Sequence, residues 1–523
     1  MTEASRRRGR PLQLPVPVGP ATKLSVDRRI AWLVAINRIH HPDATVSRQS
    51  DFVARLRAEG HVVDRPRISR WESGTARIPA EIIRGYERLL GVPAYTLVAV
   101  AQGLRAAFGS PRGEPAPVEV QAGIRSDPDR LFDLVASRSA SGADWFELAT
   151  NLTSYERVYL HSRSWSEVAT TLVSELCRSS HVSYIRRYEA LRILIRHPAA
   201  RQHTVKAIGA FVMHPAAHVV AQPLTLLQEV TDDHATKLVL RLLDVGDFAL
   251  SRGAAWVTAA KMARGQFSGE TLERLEQVTV RMLAEPTGAS RYDAVDLACQ
   301  LPDESYRRVR APLGDAQRRL VDRARDSAEV IPRDAARRIA RELAAGVHGR
   351  LALPYPLEPD LMLAALIREA LFHVHKERRH HASTLLSGSP YRDPLAGLCL
   401  ERAAEHDEVV AARMLTLTLY LGSGDARSTL VGHALGSRSI GIQARALLAL
   451  GFVEDPLARE DLDQVEGLTL RAPAASVRYA SMFALGMHGA PQLADLARSP
   501  SPWERVAAQW WLDVGGAVRD PDA

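Results

Sequence analysis

The chain has 523 residues, which is too long for one hydrophobic core, so several domains or an array of repeats are expected. No apolar run approaches the roughly 20 residues that span a bilayer, which excludes a membrane helix. The first 110 residues hold 18 Lys and Arg against 9 Asp and Glu, whereas the remainder holds 49 against 51. The excess positive charge therefore lies in the first fifth of the chain, and it favours a polyanionic partner for that part and not for the rest.

Cysteine usage and the N-terminus both indicate the cytoplasm. Cys177, Cys299 and Cys399 are far apart and odd in number, which argues against a disulfide framework and against a cysteine metal site. The start of the chain is basic but is followed by a Pro-rich polar stretch, so no secretory signal is expected. Residues 1–22 have no period and predict a disordered basic arm, which either lies along a phosphate backbone or is a solvated tail.

Residues 23–108 predict a compact all-α domain. The apolar spacing predicts five helices, which cover about residues 26–39, 47–59, 65–74, 79–91 and 96–108. Ser47 is the predicted N-cap of the second helix and Asp64 that of the third. Pro66 falls in the first turn of the third helix, where its missing N–H costs nothing.

The remainder of the chain predicts an α-solenoid. Residues 109–126 have the Gly and Pro content of a linker, and residues 127–518 show only helical periods. Residues 442–451 and 477–486 both end in Leu-Gly and lie 35 positions apart. Helix pairs of this kind bury their apolar faces only by stacking on neighbours. The chain resembles HEAT-type helical repeats here, with tetratricopeptide repeats as the nearest competitor.

The third predicted helix carries arginines that are suited to binding a polyanion such as DNA. Its apolar residues Ile68 and Trp71 are predicted to face the domain, while Arg65, Arg67 and Arg70 face outward. A helix-turn-helix protein places such a helix in the major groove, where arginine binds guanine with two parallel hydrogen bonds. An ordinary surface helix with solvated arginines is the alternative. Glu72 is expected to bind neighbouring helices and not DNA.

The segment Ile-Ser-Arg-Trp-Glu-Ser-Gly at residues 68–74, followed by Pro79 and preceded by Gln49, resembles the XRE-type (Cro and lambda-repressor-like) helix-turn-helix family. The turn from Arg57 to Asp64 is longer than the family's, which could splay the two helices. By this resemblance, two sets of residues would meet DNA. The set expected to face the bases is Arg65, Arg67, Ser69 and Arg70, and the set expected to hold phosphates is Arg48, Gln49, Thr75 and Arg77.

Other candidate sites favour structural roles. His373, Glu377 and His380 or His381 would share a helix face and could bind zinc, but the arginines among them favour a solvated polar helix end. The pair His40-His41 is interpreted as a helix end and Asp232-Asp233 as a helix cap. The tryptophans of the last helix are interpreted as capping core, or as a peptide or dimer surface; they are Trp503, Trp510 and Trp511.

The sequence thus predicts a cytoplasmic, nucleoid-associated transcriptional regulator without a cofactor, since no catalytic motif is visible. It would bind double-stranded DNA as a homodimer on two half-sites. The repeats would supply dimerisation or the sensing of a protein, peptide or small molecule. The alternative is a helical-repeat interaction scaffold, in a defence or developmental complex for example, that uses the DNA-binding domain only for localisation.

Overall fold

The computed structural model describes residues 25–108, 127–153, 155, 158–214, 221–244, 248–267, 269–284, 288–351, 360–437 and 439–522. All regular elements in these ranges are helical, and the extended pairing there is limited to two isolated bridges. The all-α prediction is therefore confirmed. The predicted arm and the predicted linker lie outside the described residues. No helix in the described ranges combines the length and the apolar character needed to cross a bilayer.

Six helices form the N-terminal domain: α1 (Val26–Ile39), α2 (Ala44–Ser47), α3 (Gln49–Ala58), α4 (Arg65–Glu72), α5 (Ala80–Leu90) and α6 (Thr96–Phe108). The prediction of five helices missed α2. Ser47 ends α2 and is not an N-cap, because Asp43 caps α2 through Thr45 N–H and the chain then turns at Arg48 into α3. The Glu87 carboxylate fixes the start of α6 by accepting hydrogen bonds from the backbone N–H groups of Tyr95 and Val98, at 2.9 and 3.0 Å.

The remaining described residues hold 23 α-helices and one short 3-10 helix, Leu226–Glu229. The first twelve α-helices are α7 (Pro128–Ala136), α8 (Gly142–Thr153), α9 (Ser162–Cys177), α10 (His181–Arg196), α11 (Pro198–Val212), α12 (Ala221–Thr225), α13 (Asp233–Asp244), α14 (Phe248–Ala263), α15 (Gly269–Ala284), α16 (Gly288–Gln300), α17 (Asp303–Arg310) and α18 (Asp315–Ser327). The other eleven are α19 (Arg333–Arg350), α20 (Leu361–Phe372), α21 (Lys376–Ser387), α22 (Arg392–Ala403), α23 (Glu408–Leu421), α24 (Arg427–Gly436), α25 (Ile440–Gly451), α26 (Arg459–Arg471), α27 (Ala475–Met487), α28 (Leu493–Leu496) and α29 (Pro502–Val514).

The last repeats stack in two layers, as the Leu-Gly pattern predicts. Helices α23, α25, α27 and α29 contact one another in sequence, and α22, α24 and α26 form the second layer. The rings of Phe452, Phe483 and Trp511 link three consecutive units, with centroids 5.3 and 5.8 Å apart. Glycine is required near the ends of these helices because a side chain there would collide with the next unit. A Cβ at Gly451 would lie 2.8 Å from Phe483, and one at Gly486 would lie 2.0 Å from Trp511.

The C-terminal segment returns to helices near the start of the repeats. Val518 N–H donates to the Arg178 carbonyl at 2.8 Å, and the buried Asp520 carboxylate bonds the guanidinium groups of Arg186 and Arg187 at 2.7 and 2.8 Å. Arg187 also contacts Glu175 at 2.9 Å. A buried charge is costly unless it is paired, so α10 depends on residues more than 300 positions away.

The N-terminal domain packs closely against the repeats. On α1, Arg29 Nη2 lies 2.6 Å from Glu369 Oε2, and Trp32 Nε1 donates to Asp360 Oδ2 at 2.8 Å. His40 Nε2 lies 3.1 Å from the hydroxyl of Tyr391. Helix α6 packs on α10 and α21, and one hydrophobic cluster runs without a break from α1 to α23. The two predicted domains therefore share a core.

We expect Gly486→Ala to destabilise the repeats by about 1–3 kcal/mol, because the added methyl group requires Trp511 or the helix backbone to move. Urea unfolding measures the change. Gly432→Ala is the matched control, since Gly432 is an exposed residue of α24 and a Cβ added there would meet no atom within 4 Å. It should raise stability by about 0.5–1 kcal/mol through helix propensity. Equal effects of the two substitutions would contradict the packing role.

Acid should weaken the packing of the N-terminal domain. Burial, with a smaller effect from nearby His348, lowers the pKa of His40 to about 4. The unfolded chain therefore takes up a proton near pH 6.5, which the folded chain accepts only near pH 4. Stability is full above pH 6.5 and falls as the pH drops toward 4. We expect His40→Gln to remove about 2 kcal/mol of the stability difference between pH 7 and pH 5. Urea titrations at the two pH values measure the difference, and an equal difference in the variant and the unmodified chain would contradict the prediction.

Candidate nucleic-acid interface

Helix α4 begins at Arg65, as the sequence predicts, and ends at Glu72, two residues before the predicted end. The Asp64 carboxylate accepts a hydrogen bond from Arg67 N–H at 2.7 Å, and Pro66 lies in the first turn. After the helix, Gly74 has a φ of +69°, and a Cβ there would lie 2.8 Å from the backbone of Arg28. Glycine is therefore required both by the backbone conformation and by the close approach of α1. The two ends fix the length of the helix that is presented to solvent.

Glu72 joins α4 to three other helices. Its two oxygens lie 2.6 and 2.7 Å from Arg38 of α1, and its carboxylate also accepts from Gln49 at 3.1 Å and from the Tyr86 hydroxyl at 2.9 Å. The Tyr86 pKa stands well above its usual value because of burial and the nearby Glu72 charge, so the hydroxyl stays a donor. Glu72 thus binds neighbouring helices. Trp71 was predicted to face the domain, but it is only half-buried and packs at the edge of the hydrophobic core.

The four residues expected to face bases all lie on the exposed side of α4: Arg65, Arg67, Ser69 and Arg70. The side chains of Arg65 and Arg70 have no ion pair or hydrogen bond with the other described residues. Arg67 Nη1 donates to the Val62 carbonyl at 2.9 Å, so this arginine also holds the turn before the helix. The outer face of α4 therefore presents two uncommitted guanidinium groups and one that supports the turn.

The residues expected to hold phosphates lie at the start of α3 and after the end of α4. Arg48 is exposed and precedes α3, whose first N–H groups receive no side-chain cap. Gln49 uses its side-chain amide for Glu72, which leaves its backbone N–H at the helix start. Thr75 is exposed, and its hydroxyl donates to the Arg70 carbonyl at 3.1 Å. Arg77 is exposed on the segment that leads to α5. Three of the four predicted residues are thus exposed, whereas the side chain of Gln49 binds Glu72 inside the domain.

The long turn between α3 and α4 is anchored at several points. Arg57 Nε donates to the Val63 carbonyl at 2.6 Å, and the buried side chain of Val63 joins the core. Arg88 of α5 lies 2.7 Å from Glu59 Oε2. At the tip, Val62 is 85% exposed. These contacts hold the extra residues in one conformation beside α4. From the sequence, this turn was interpreted only as longer than the turn of the XRE-type family. That Arg57 and Arg88 anchor it was not predicted.

The histidine cluster is buried, so the prediction of a solvated polar helix end was wrong. His373 follows α20 as its C-cap, and α21 begins at Lys376, so the predicted residues do not share one helix. Lys376 Nζ lies 2.5 Å from Asp293, and the His375 ring lies 2.8 Å from Asp296. Lys376 and His375 can therefore be buried because they pair with aspartates about 80 positions earlier in the chain. Among the described residues, no group of three potential metal ligands occurs.

The remaining structural assignments agree with the sequence. Trp511 is buried, and Trp503 and Trp510 pack against the terminal core. Asp232 accepts a hydrogen bond from Ala235 N–H at 2.8 Å at the start of α13, and His40 is the C-cap of α1. All three cysteines are free, and burial raises their thiol pKa values, which makes them poor nucleophiles.

We expect Glu72→Ala to destabilise the N-terminal domain by about 3–5 kcal/mol, because it leaves Arg38 buried without its partner. Hydrogen exchange of the α4 amides should quicken accordingly. Glu81→Ala is the control, since Glu81 is an exposed residue in the first turn of α5. Its loss should cost less than about 1 kcal/mol. Unchanged exchange in α4 of the Glu72 variant would show that the carboxylate does not hold the helix.

No family model and no curated protein matches the chain. Solved structures that match with probability 1.00 include two proteins. One is from a study of tubulin recruitment and assembly by microtubule polymerases with tumour overexpressed gene (TOG) domain arrays. Its sequence identity to this chain is 13% and its TM-score is 0.23. The match covers 82% of this chain and 99% of that one. The other is Kap121p, with 11% sequence identity and a TM-score of 0.26. The match covers 94% of this chain but only 53%, about half, of Kap121p. Likenesses this distant carry no inference about what the chain binds.

Proposed function

We propose that the protein is a sequence-specific DNA-binding regulator that reads the major groove with α4. The observation that carries the proposal is the outer face of α4, where Arg65, Ser69 and Arg70 are exposed together. The same helix is held from inside by Ile68 and Glu72. A base-reading helix needs this combination, because its polar side chains must be free while its axis is fixed.

The surroundings of α4 fit the phosphate contacts of such a complex. Arg48 and the uncapped N-terminus of α3 offer a guanidinium group and backbone N–H donors to one strand. Thr75 and Arg77 follow the C-terminus of α4 and are exposed. Phosphate contacts fix the orientation of a domain on the duplex, whereas base contacts supply the sequence preference. The four residues would therefore position α4, and its arginines would select sites containing G·C pairs.

The repeats would set the geometry of binding. Because α1 and α6 are buried against α10, α20 and α21, the DNA-binding face has a fixed direction relative to the repeats. A homodimer formed through the repeats would then hold two copies of α4 at a fixed separation, which selects the spacing of two half-sites. A protein, peptide or small molecule bound to the repeats would act by changing that separation. No cofactor is required.

The second candidate is an interaction scaffold that DNA binding merely localises. It is favoured by apolar side chains that the last repeats leave exposed, among them Leu470, Val506 and Leu512. The two candidates differ in what survives when DNA binding is lost. A scaffold would still purify with one stoichiometric protein partner after Arg65 and Arg70 are replaced. A regulator would lose its occupancy of promoter sites.

The proposal is tested by selecting bound sequences from random duplex DNA with the full chain at a stated salt concentration. The full chain is required because residues 1–110 alone would expose the faces of α1 and α6 that pack on the repeats. We expect a defined sequence to be enriched. Arg70→Ala should then reduce discrimination between this site and a mutated one by about 1–3 kcal/mol. Arg67→Ala should reduce it as well, with faster hydrogen exchange in the turn that Arg67 holds.

Arg163→Ala serves as the control, since Arg163 is an exposed arginine of α9 in the repeats. It should bind the selected site like the unmodified chain. Arg77→Ala should weaken binding to all sequences alike and lower the salt dependence by about one phosphate contact. Enrichment of no sequence by the full chain, or unchanged discrimination in both the Arg67 and Arg70 variants, would refute the assigned readout.

A further inference from the structure

Three arginines form a line along the exposed side of α19. Arg333, Arg337 and Arg341 lie four residues apart, so they fall within an arc of about 80° and rise about 6 Å per step. All three are exposed, and none forms an ion pair or hydrogen bond with another described residue. We call them the arginine stripe. No carboxylate lies within its arc on the helix, and Asp334 stands just outside it.

The arginine stripe leads to the DNA-binding domain. His348 lies on the same arc of α19, about 10 Å beyond Arg341 along the helix axis. Its ring packs against Tyr391, with centroids 5.6 Å apart, and Tyr391 packs against His40 at 5.0 Å. His40 ends α1. One residue on the arginine side of α19 therefore packs on Tyr391, which in turn packs on the end of α1.

The point of contact is also close to the predicted phosphate contacts. Two residues before His40, Arg38 donates to the carbonyl of Ser47, the residue before Arg48. The end of α1 thus holds both the start of α3 and, through Tyr391, the end of α19. Along the helix axis, the arginine stripe begins about 10 Å from His348, at Arg341, and ends about 22 Å from it, at Arg333.

Solvation alone does not account for the arginine stripe. Arg333 is the first residue of α19, and Arg337 follows one turn later. A positive charge at the N-terminus of a helix opposes the helix dipole and costs stability. Elsewhere on the repeats many exposed arginines have carboxylate partners, such as Arg308 with Glu276 and Arg310 with Asp322 at 2.7 Å. The positive charge of the arginine stripe is therefore not balanced by carboxylates, and it does not stabilise the helix that carries it.

We propose that the arginine stripe binds the phosphates of the duplex that α4 enters, so that the repeats extend the DNA contact beyond the N-terminal domain. This inference rests on the proposed function and adds a second binding surface to it. The three guanidinium groups span about 12 Å, the length of three to four base steps along a strand. Their contacts would be independent of sequence. They would raise affinity for long duplexes without changing which site is selected.

The test compares one half-site of the selected sequence in a short duplex of about 12 base pairs and in a long one of about 30, each with the full chain. We expect Arg333→Gln/Arg337→Gln/Arg341→Gln to leave binding of the short duplex unchanged. For the long duplex, three lost phosphate contacts should lower the slope of log affinity against log salt by about 2.7. Between 50 and 200 mM salt, the unmodified chain should lose about 40-fold more affinity than the variant.

A charge-matched variant, Arg163→Gln/Arg459→Gln/Arg498→Gln, removes three exposed arginines from other parts of the repeats and should behave like the unmodified chain. Stripe and control variants that bind both duplexes alike would overturn the inference and leave DNA binding by α4 intact. A stripe effect that persists while Arg65→Ala/Arg70→Ala keeps the same sequence preference would support the stripe and refute readout by α4. Absence of binding to either duplex at 50 mM salt would refute both.

Discussion

Helix α1 is bound on two sides by buried ion pairs, and the placement of the proposed DNA-binding face depends on both. On one side Arg38 binds Glu72 and so fixes α4; on the other Arg29 binds Glu369 and so fixes the domain on the repeats. Buried ion pairs add little net stability, because desolvation offsets most of their attraction, but a misaligned pair is severely destabilising. Their main effect here is on orientation. The same fourteen-residue helix therefore connects the surface that would read DNA to the helices that would respond to a signal.

The packing around α4 favours movement of the N-terminal domain as a rigid unit over rearrangement of its helices. Ile68, Phe52 and Tyr86 form a closely packed interior around α4, and close-packed interiors transmit displacement as rigid units. A ligand that shifted α20 or α21 would move α1 through Glu369 and Asp360, and α4 would follow. The arginine stripe would move as well, since His348 and Tyr391 connect α19 to the same helix end. A single displacement would thus alter two DNA contacts together.

Local features were predictable from the sequence, and features that depend on distant partners were not. The bounds of α1 and α6, the Asp64 cap and the inward Glu72 follow from spacing and residue type within one or two turns. Helix α2 was missed because Asp43 competes with Ser47 as a cap, and periodicity does not resolve a four-residue helix. The docking of α1 was not predictable, since Arg29 and Trp32 find their partners more than 320 positions later. The histidine cluster was misplaced for the same reason. The DNA-reading residues remain a prediction.

The return of the C-terminal segment to α10 has a consequence for how the protein forms. During synthesis, Arg186 and Arg187 leave the ribosome more than 300 residues before Asp520, and at several residues per second that gap lasts tens of seconds. Over this time α10 would hold two arginines without their final partner. Repeat proteins usually fold from neighbour to neighbour, but this one requires a long-range closure. The first repeats should therefore remain accessible to chaperones until the last ones are made.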